Sequence, residues 1–149
     1  MYKMIVAGQV RKAFQALNRG EYGSVTDQLA PGAVYEFVGD HALGGRRSTP
    51  EVILAGFTRM FEIFEAGRFD VVDVLVKGTP WRTRVISIVD ITATVAGEPY
   101  RNRMIQVLDL KWARITAIYS LEDTQHLAAV LDRAASRGVR QAAAAPLFG

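Results

Sequence analysis

The most regular pattern of hydrophobic and polar positions lies between residues 100 and 123. It predicts two antiparallel strands joined by a short turn, because successive side chains of a strand point to opposite faces. One face mixes apolar groups with hydrogen-bonding groups, and the other is largely aliphatic near its centre. The mixed face carries Asn102, Met104, Gln106 and Leu108, and then Thr116, Ile118, Ser120 and Glu122. A mixed face of this kind is typical of a pocket floor, whereas the aliphatic face indicates a packing surface.

The remaining segments alternate between helical and strand periodicity. Apolar positions predict helices at 3–18 and at 23–29, and alternation predicts strands at 33–38, 69–77 and 82–95. Thr49 and Pro50 are a strong start signal for a third helix, whose aromatic stripe indicates core, although the same helix can roof a cavity. Asp123 caps a last helix, which Gly138 ends.

This order of elements predicts the fold class. Helices, one strand, a helix, a run of strands and a final helix make an α+β domain with a curved antiparallel sheet wrapped by the N-terminal helices. We expect a single domain over residues 1–138. The tail at 139–149 carries no periodicity that predicts its structure.

Composition excludes several function classes. The chain has 149 residues and no cysteine, which excludes disulfides, thiol nucleophiles and cysteine-based zinc sites, and its two histidines leave few metal ligands. The glycine-rich loop at 39–47 lacks the lysine and the following hydroxyl of a phosphate loop. We expect no cofactor. No apolar run approaches the roughly 18 residues of a spanning helix, and the start lacks signal-peptide features, so we expect a cytoplasmic protein without a membrane partner.

Charge and surface pattern indicate the partners. The net charge of +3 is spread over single and paired arginines rather than one patch with exposed aromatics, so no nucleic-acid partner is expected. Both faces of the strand at 82–95 are substantially apolar. Helices can cover one face of an antiparallel sheet, and an aliphatic outer face then predicts a homodimer formed sheet to sheet.

A family resemblance covers residues 5–135. It is carried by the VYEF strand after the first helices, the loop HALGG, the helix after Ser48, the strand FDVVDVLV, and the segment RNRMIQVLDLKWARITAIYSLEDTQ. In this order they resemble the SnoaL-like branch of the nuclear transport factor 2-like superfamily. That branch includes polyketide cyclases, and its relatives include steroid isomerases and limonene epoxide hydrolases. The resemblance implies a cone-shaped domain around a deep apolar pocket, usually as a homodimer.

The catalytic groups of these relatives match only in part. The aspartate of the isomerases falls on Phe37, and the Arg-x-Asp pair of the hydrolases falls on Ile88 and Asp90. The second hydrolase aspartate falls on Ser120, whereas the hydrolase tyrosine is present as Tyr35. The histidine and aspartate of the cyclases would fall on Gln106 and Ser120. The resemblance therefore implies the fold and the pocket but none of these reactions.

Asp90 is the first catalytic candidate from sequence. It shares a strand face with Ile86 and Ile88, and we expect this face to point into the pocket. An apolar pocket raises the pKa of a carboxyl group, which suits a general base near neutral pH. The alternative is a structural carboxylate that pairs with Arg84 or hydrogen-bonds Tyr35 or Asn102.

Tyr35 and Asn102 complete the predicted catalytic group as hydrogen-bond donors to a substrate oxygen, with a satisfied buried polar group as the alternative for each. His41, in the loop at the expected pocket mouth, is either a proton shuttle or a surface residue, and Trp81 either walls the pocket or packs elsewhere. The residues expected to contact substrate are Phe37, His41, Trp81, Ile88, Met104, Gln106, Ile118, Ser120 and Glu122.

Three functions remain open at this point. The first is a cofactor-free enzyme that moves protons on a small hydrophobic carbonyl, enol or epoxide compound, as isomerases, cyclases and hydrolases do. The second is a module that binds an apolar metabolite without chemistry. The third is a dimerisation or partner-binding domain whose interior is filled.

Overall fold

The predicted helices and strands follow one another in the predicted order in the computed structural model, which describes all residues 1–149, and two short strands and a 3-10 helix occur in addition. The helices are α1 (Tyr2–Asn18), α2 (Gly23–Thr26), α3 (Pro50–Ile63) and α4 (Thr124–Ser136), and a 3-10 helix spans Arg140–Ala143. The strands are β1 (Leu29–Phe37), β2 (Gly45–Arg47), β3 (Glu65–Thr79), β4 (Arg82–Val95), β5 (Glu98–Lys111), β6 (Arg114–Glu122) and β7 (Leu147–Phe148). The predicted α+β class is confirmed.

All seven strands form one sheet in the order β3-β4-β5-β6-β1-β2-β7. Strands β3 to β6 are an antiparallel meander, but β1 runs parallel to β6 and β2 parallel to β7. The expectation of a purely antiparallel sheet is therefore wrong at these two pairings. The β1 strand also begins at Leu29, where a helix end was expected, and its register shifts between Leu29 and Val34, around Pro31 and Gly32. A proline is tolerated in a strand at such an irregularity.

The two helix starts predicted from capping residues are both present. The Thr49 hydroxyl accepts a hydrogen bond from the Val52 amide at 3.3 Å, and the Asp123 carboxylate accepts one from the His126 amide at 3.0 Å. These bonds satisfy backbone donors that the first turn of a helix leaves free. They also fix where β6 ends and α4 begins.

The inner face of the sheet is set by the odd positions of β4 and the even positions of β5. Val85, Val89 and Ile91 are almost fully inaccessible to solvent, and they belong to the same hydrophobic cluster as the buried residues of α1 and α3. Full burial of such a side chain contributes about 1.5–3 kcal/mol. The side chains at 86, 88 and 90 consequently point to the outer face.

The C-terminal tail joins the same sheet. β7 pairs with β2, and Ala142 of the 3-10 helix is buried. Gly45 has a φ of 128° and lies so close to Leu147 that a Cβ would be 1.9 Å from its carbonyl oxygen, so glycine is required there. None of the helices has both the length and the apolar character needed to cross a membrane.

Candidate active site

An apolar cavity lies between the inner face of the sheet and helices α1 and α3. Eighteen of its 22 lining residues are hydrophobic, and its empty volume, including its opening to solvent, is about 890 Å³. Only four lining residues carry clearly polar side chains: Gln9, Gln28, Gln106 and Glu122. Glu122 is thus the one carboxylate on a wall that is otherwise almost entirely apolar.

Glu122 is held from one side only. The Tyr100 hydroxyl donates to its Oε1 at 2.5 Å, and the Asn102 amide donates to the same oxygen at 3.1 Å. The other oxygen, Oε2, is buried and has no hydrogen-bond partner. The residue is 4% exposed and lines the cavity, so Oε2 is a buried acceptor without a partner at the cavity wall.

Burial gives this carboxyl group an unusual protonation equilibrium. Desolvation raises the pKa of Glu122 to about 7, against the lowering effect of the hydrogen bonds from Tyr100 and Asn102, and the Asp123 charge adds to the rise. A carboxyl group with a pKa near neutrality can both accept and return a proton under ordinary conditions. Such a perturbed group in an apolar cavity is a typical sign of a functional site.

Aromatic rings fix the tyrosine that holds Glu122. The Tyr100 ring stacks on Phe64 with centroids 5.0 Å apart and on His126 with centroids 5.3 Å apart. Asn102 also donates to the Tyr100 hydroxyl at 2.8 Å. Desolvation and the nearby Glu122 carboxyl raise the pKa of Tyr100, so it stays neutral and keeps its proton for the hydrogen bond.

A second polar group lies one register step along the same face. The Gln106 amide donates to the Ser120 hydroxyl at 3.3 Å, and the hydroxyls of Tyr35 and Ser120 are 3.4 Å apart. In the β5–β6 register, Gln106 is opposite Ser120 and Met104 is opposite Glu122. Gln106 is therefore the diagonal neighbour of Glu122, and the Cα atoms of diagonal neighbours are about 7–8 Å apart. A side-chain amide has two N–H donors, and the second remains available to a ligand.

Five of the nine residues expected to contact substrate lie on the cavity wall: Phe37, Met104, Gln106, Ile118 and Glu122. Tyr35, which was predicted as a catalytic donor, lies there too. Ser120 and Asn102 do not line the cavity, but they hydrogen-bond to residues that do, Ser120 to Tyr35 and Asn102 to Glu122. Hence the mixed face between residues 100 and 123 is the inner face of the sheet, except that a register shift after Asp109 places Ile115 instead of Thr116 on the cavity wall.

Asp90 and Ile88 are on the other side of the sheet. The Asp90 carboxylate accepts hydrogen bonds from the Arg103 guanidinium at 2.7 and 3.1 Å, and its side chain is 44% exposed. The hydrogen bond from Arg103 holds the pKa of Asp90 below its ordinary value. The expectations that this carboxyl points inward and has a raised pKa are wrong, because Val89 and Ile91 occupy the inward positions. Asp90 is instead in an ion pair, as the alternative of a structural carboxylate proposed, but its partner is Arg103. Arg84, the partner named in that alternative, pairs with Asp109.

His41 and Trp81 also lie away from the cavity wall. The His41 ring is buried within its loop, where Nδ1 accepts from the Leu43 amide at 3.2 Å and the ring meets Phe37 edge to face. Burial lowers the pKa of His41. Trp81 is largely exposed beside Trp112 on the outside of the molecule. Neither side chain meets the Glu122 group.

Tyr100 is the residue of this group that sequence reasoning missed. It precedes Asn102 by two positions and therefore shares the inward face of β5, which is the signal that identifies it. Glu122 was placed on the correct face but only as a substrate contact. An acidic residue at an inward position of a largely apolar face was the sign of its importance.

Solved structures resemble this fold along most of its length. PrhC from Penicillium brasilianum is 14% identical, with a TM-score of 0.77 and 95% of each chain covered. IdmH from Streptomyces antibioticus, a candidate polyketide cyclase, is 17% identical, with a TM-score of 0.67 and 85% of this chain and 97% of that chain covered. A nuclear transport factor 2-like protein from Burkholderia thailandensis is 17% identical, with a TM-score of 0.71 and coverages of 82% and 93%. At these identities the likeness establishes the fold.

The sequence itself identifies the family. No curated protein matches the chain. The family model described as a SnoaL-like domain matches residues 10–118, which run from the second half of α1 to the first half of β6. The chain therefore belongs to the SnoaL-like family, within the nuclear transport factor 2-like fold.

Proposed function

We propose that the protein is a cofactor-independent enzyme that moves protons on a small hydrophobic carbonyl, enol or epoxide compound, with Glu122 as the proton carrier. The observation that carries the proposal is the free Oε2 of a buried carboxyl group on an apolar cavity wall. A carboxyl group that is held in place by hydrogen bonds and has a pKa of about 7 is suited to repeated proton transfer. The likeness to IdmH, a candidate polyketide cyclase, supports a substrate of this class.

The chemistry follows from the two polar groups of the cavity. Glu122 Oε2 takes a proton from the carbon beside a carbonyl group, and the electron pair that is left moves toward the carbonyl oxygen. The free N–H of Gln106, or the hydroxyl of Tyr35, donates to that oxygen as its negative charge grows. Tyr100 and Asn102 hold the carboxyl in position, and the same oxygen then returns the proton to another atom of the substrate.

Deuterium exchange tests this proposal directly. A thermal-shift screen with steroids, terpenoids and aromatic polyketides first finds compounds that bind. Bound ketones are then incubated with the protein in heavy water, and mass spectrometry follows deuterium entering the carbon beside the carbonyl. Wild-type protein should accelerate the exchange, and Glu122→Gln should lose the acceleration by about a hundredfold or more while it still binds the compound.

Two outcomes separate the alternatives. Binding without exchange in the wild type supports a module that binds an apolar metabolite. Unchanged exchange in the Glu122→Gln variant contradicts the role of Glu122. Met104→Trp, which fills the cavity from the strand position opposite Glu122, should abolish binding and exchange together.

We also propose that the outer face of the sheet forms a homodimer. Two rows of side chains cross β4, β5 and β6 there: Ile86, Val107 and Tyr119, and then Ile88, Ile105 and Leu121. Ile86, Ile105, Tyr119 and Leu121 are each 37–39% exposed, although all are large and apolar. The ion pairs Arg84–Asp109 and Asp90–Arg103 border this patch on either side.

The oligomeric state in solution tests the proposed homodimer. Light scattering at micromolar concentration should give the mass of a dimer, and Ile105→Lys should give a folded monomer, since a lysine pair would be buried at the interface. A wild-type protein that is monomeric at these concentrations would contradict the proposal.

A further inference from the structure

Both tryptophans of the chain lie together at one end of the molecule. Trp81 and Trp112 are 56% and 63% exposed, and their ring centroids are 6.0 Å apart. Ile5, at the start of α1, is 52% exposed and lines a surface depression together with Trp112. We call Ile5, Trp81 and Trp112 the tryptophan patch. Its members come from three separate segments, and large apolar side chains gathered in this way indicate an interaction surface.

The turn that carries Trp112 is conformationally costly. Trp112 and Ala113 have φ values of 50° and 64°, in the left-handed region that glycine or asparagine normally occupies in a two-residue hairpin turn. The Trp112 amide also donates to the Pro80 carbonyl at 2.8 Å, which ties this turn to the one that carries Trp81. The backbone thus holds a large apolar ring outward where a small residue would be relaxed, and strain of this kind concentrates at functional sites.

The patch adjoins the cavity that contains Glu122. Ile5 and Trp112 line a shallow depression together with Tyr2 and Pro80. Val6, Gln9, Leu110 and Ala113 line both this depression and the large cavity. An apolar molecule that contacts the patch is therefore next to the space inside the sheet.

Three cations adjoin members of the patch along the chain. Arg82 follows Trp81 directly, and Lys111 and Arg114 flank the Trp112 turn as register partners. All three are exposed, and none takes part in an ion pair. Arg114 donates only to a backbone carbonyl, that of Asp27.

We propose that the tryptophan patch docks on the surface of an anionic lipid bilayer and brings the cavity to apolar compounds dissolved there. Tryptophan rings favour the level of the lipid headgroups, and unpaired cations near them are attracted to anionic lipids. The sequence excluded a spanning segment, which led to the expectation of no membrane partner, but surface docking needs no such segment. A second copy of this chain is a poorer occupant, because the unpaired cations would face each other.

Intrinsic fluorescence gives a direct test, because the chain contains only these two tryptophans. Vesicles of phosphatidylcholine with phosphatidylserine should shift the emission to shorter wavelength and sediment with the protein, and added salt should weaken both effects. Vesicles of phosphatidylcholine alone should bind more weakly. Lys111→Gln and Arg114→Gln should each weaken binding to the anionic vesicles about fivefold.

Matched variants make the result specific. Trp81→Ala with Trp112→Ala should weaken co-sedimentation by about tenfold or more, and both positions are exposed enough to be replaced without loss of the fold. Phe148→Ala removes a ring that is 70% exposed on β7, and it should leave binding unchanged. Glu122→Gln should bind vesicles like the wild type, which keeps this test independent of the proposed reaction.

Three results would overturn the proposal. These are the absence of any spectral shift with anionic vesicles, a double variant that still binds as the wild type does, and a shift that appears without lipid as protein concentration rises. The last would assign the patch to self-association.

Discussion

Replacing Glu122 by glutamine should make the stability of the protein depend less on pH. The folded protein holds the Glu122 proton more tightly than the unfolded chain does, because burial raises its pKa from 4.5 to about 7. The group therefore contributes stability that is fully present below pH 4.5 and is lost as the pH rises through about 7. The loss corresponds to about 3 kcal/mol in the free energy of unfolding.

Urea unfolding of both proteins at several values from about pH 4 to pH 8 measures this effect. The free energy of unfolding of wild type minus that of Glu122→Gln should fall by about 3 kcal/mol over this range, most of it between pH 5 and 7. Burial lowers the pKa of His41, which contributes in the opposite direction, with stability lost as the pH falls. That contribution is common to both proteins and cancels in the difference.

The matched control is Glu65→Gln, which removes an exposed carboxylate outside the cavity. Its difference from wild type should change little over the same range. A difference for Glu122→Gln that stays constant to within about 0.5 kcal/mol would refute the buried-carboxyl argument. If Glu122→Gln both loses deuterium exchange and is more stable than the wild type at pH 8, the reaction depends on the same Glu122 charge that destabilises the fold.

Three further predictions test the surroundings of the site. Tyr100→Phe removes a hydrogen bond that lowers the pKa of Glu122. The stability difference between proteins with and without Glu122→Gln, both carrying Tyr100→Phe, should therefore have its midpoint at higher pH; a midpoint at lower pH would contradict this. Asp90→Asn should leave ligand binding and deuterium exchange at wild-type values, since only an exposed ion pair is lost; reduced exchange would return this residue to the site. Gly56→Ala places a Cβ 2.4 Å from the buried guanidinium on β2 and should cost about 1–3 kcal/mol in urea unfolding, whereas Gly8→Ala, which meets nothing, should not destabilise.

Local patterns were sufficient to predict most of the fold. Capping residues located the starts of α3 and α4, and strict alternation over residues 100–123 identified the face that lines the cavity. The parallel pairing of β1 with β6 was not predictable in this way, because it joins segments far apart in the chain. The role of residues 139–149 depends on the same kind of distant pairing, with β2.

The error at Asp90 has a definite physical origin. Both faces of β4 are apolar, so alternation alone did not say which face is inward, and a shift of one residue exchanges the two. On β5 and β6 the polar residues distinguished the faces, and there the inward set was recognised except at the register shift after Asp109, where Ile115 and not Thr116 faces inward. The period of two gives the inward position of Tyr100, but its stacking on Phe64 and His126 could not be predicted, because those rings come from distant segments of the chain.

The period of two along β4 has a practical consequence for redesign. Positions 85, 89 and 91 face the interior, while 86, 88 and 90 face outward, so adjacent codons encode different surfaces of the protein. A library restricted to alternate codons would reshape the interior and leave the exterior unaltered. A second library on the intervening codons would vary only the outer face, which carries the proposed dimer surface, so that the interior and the exterior can be evolved separately in one strand.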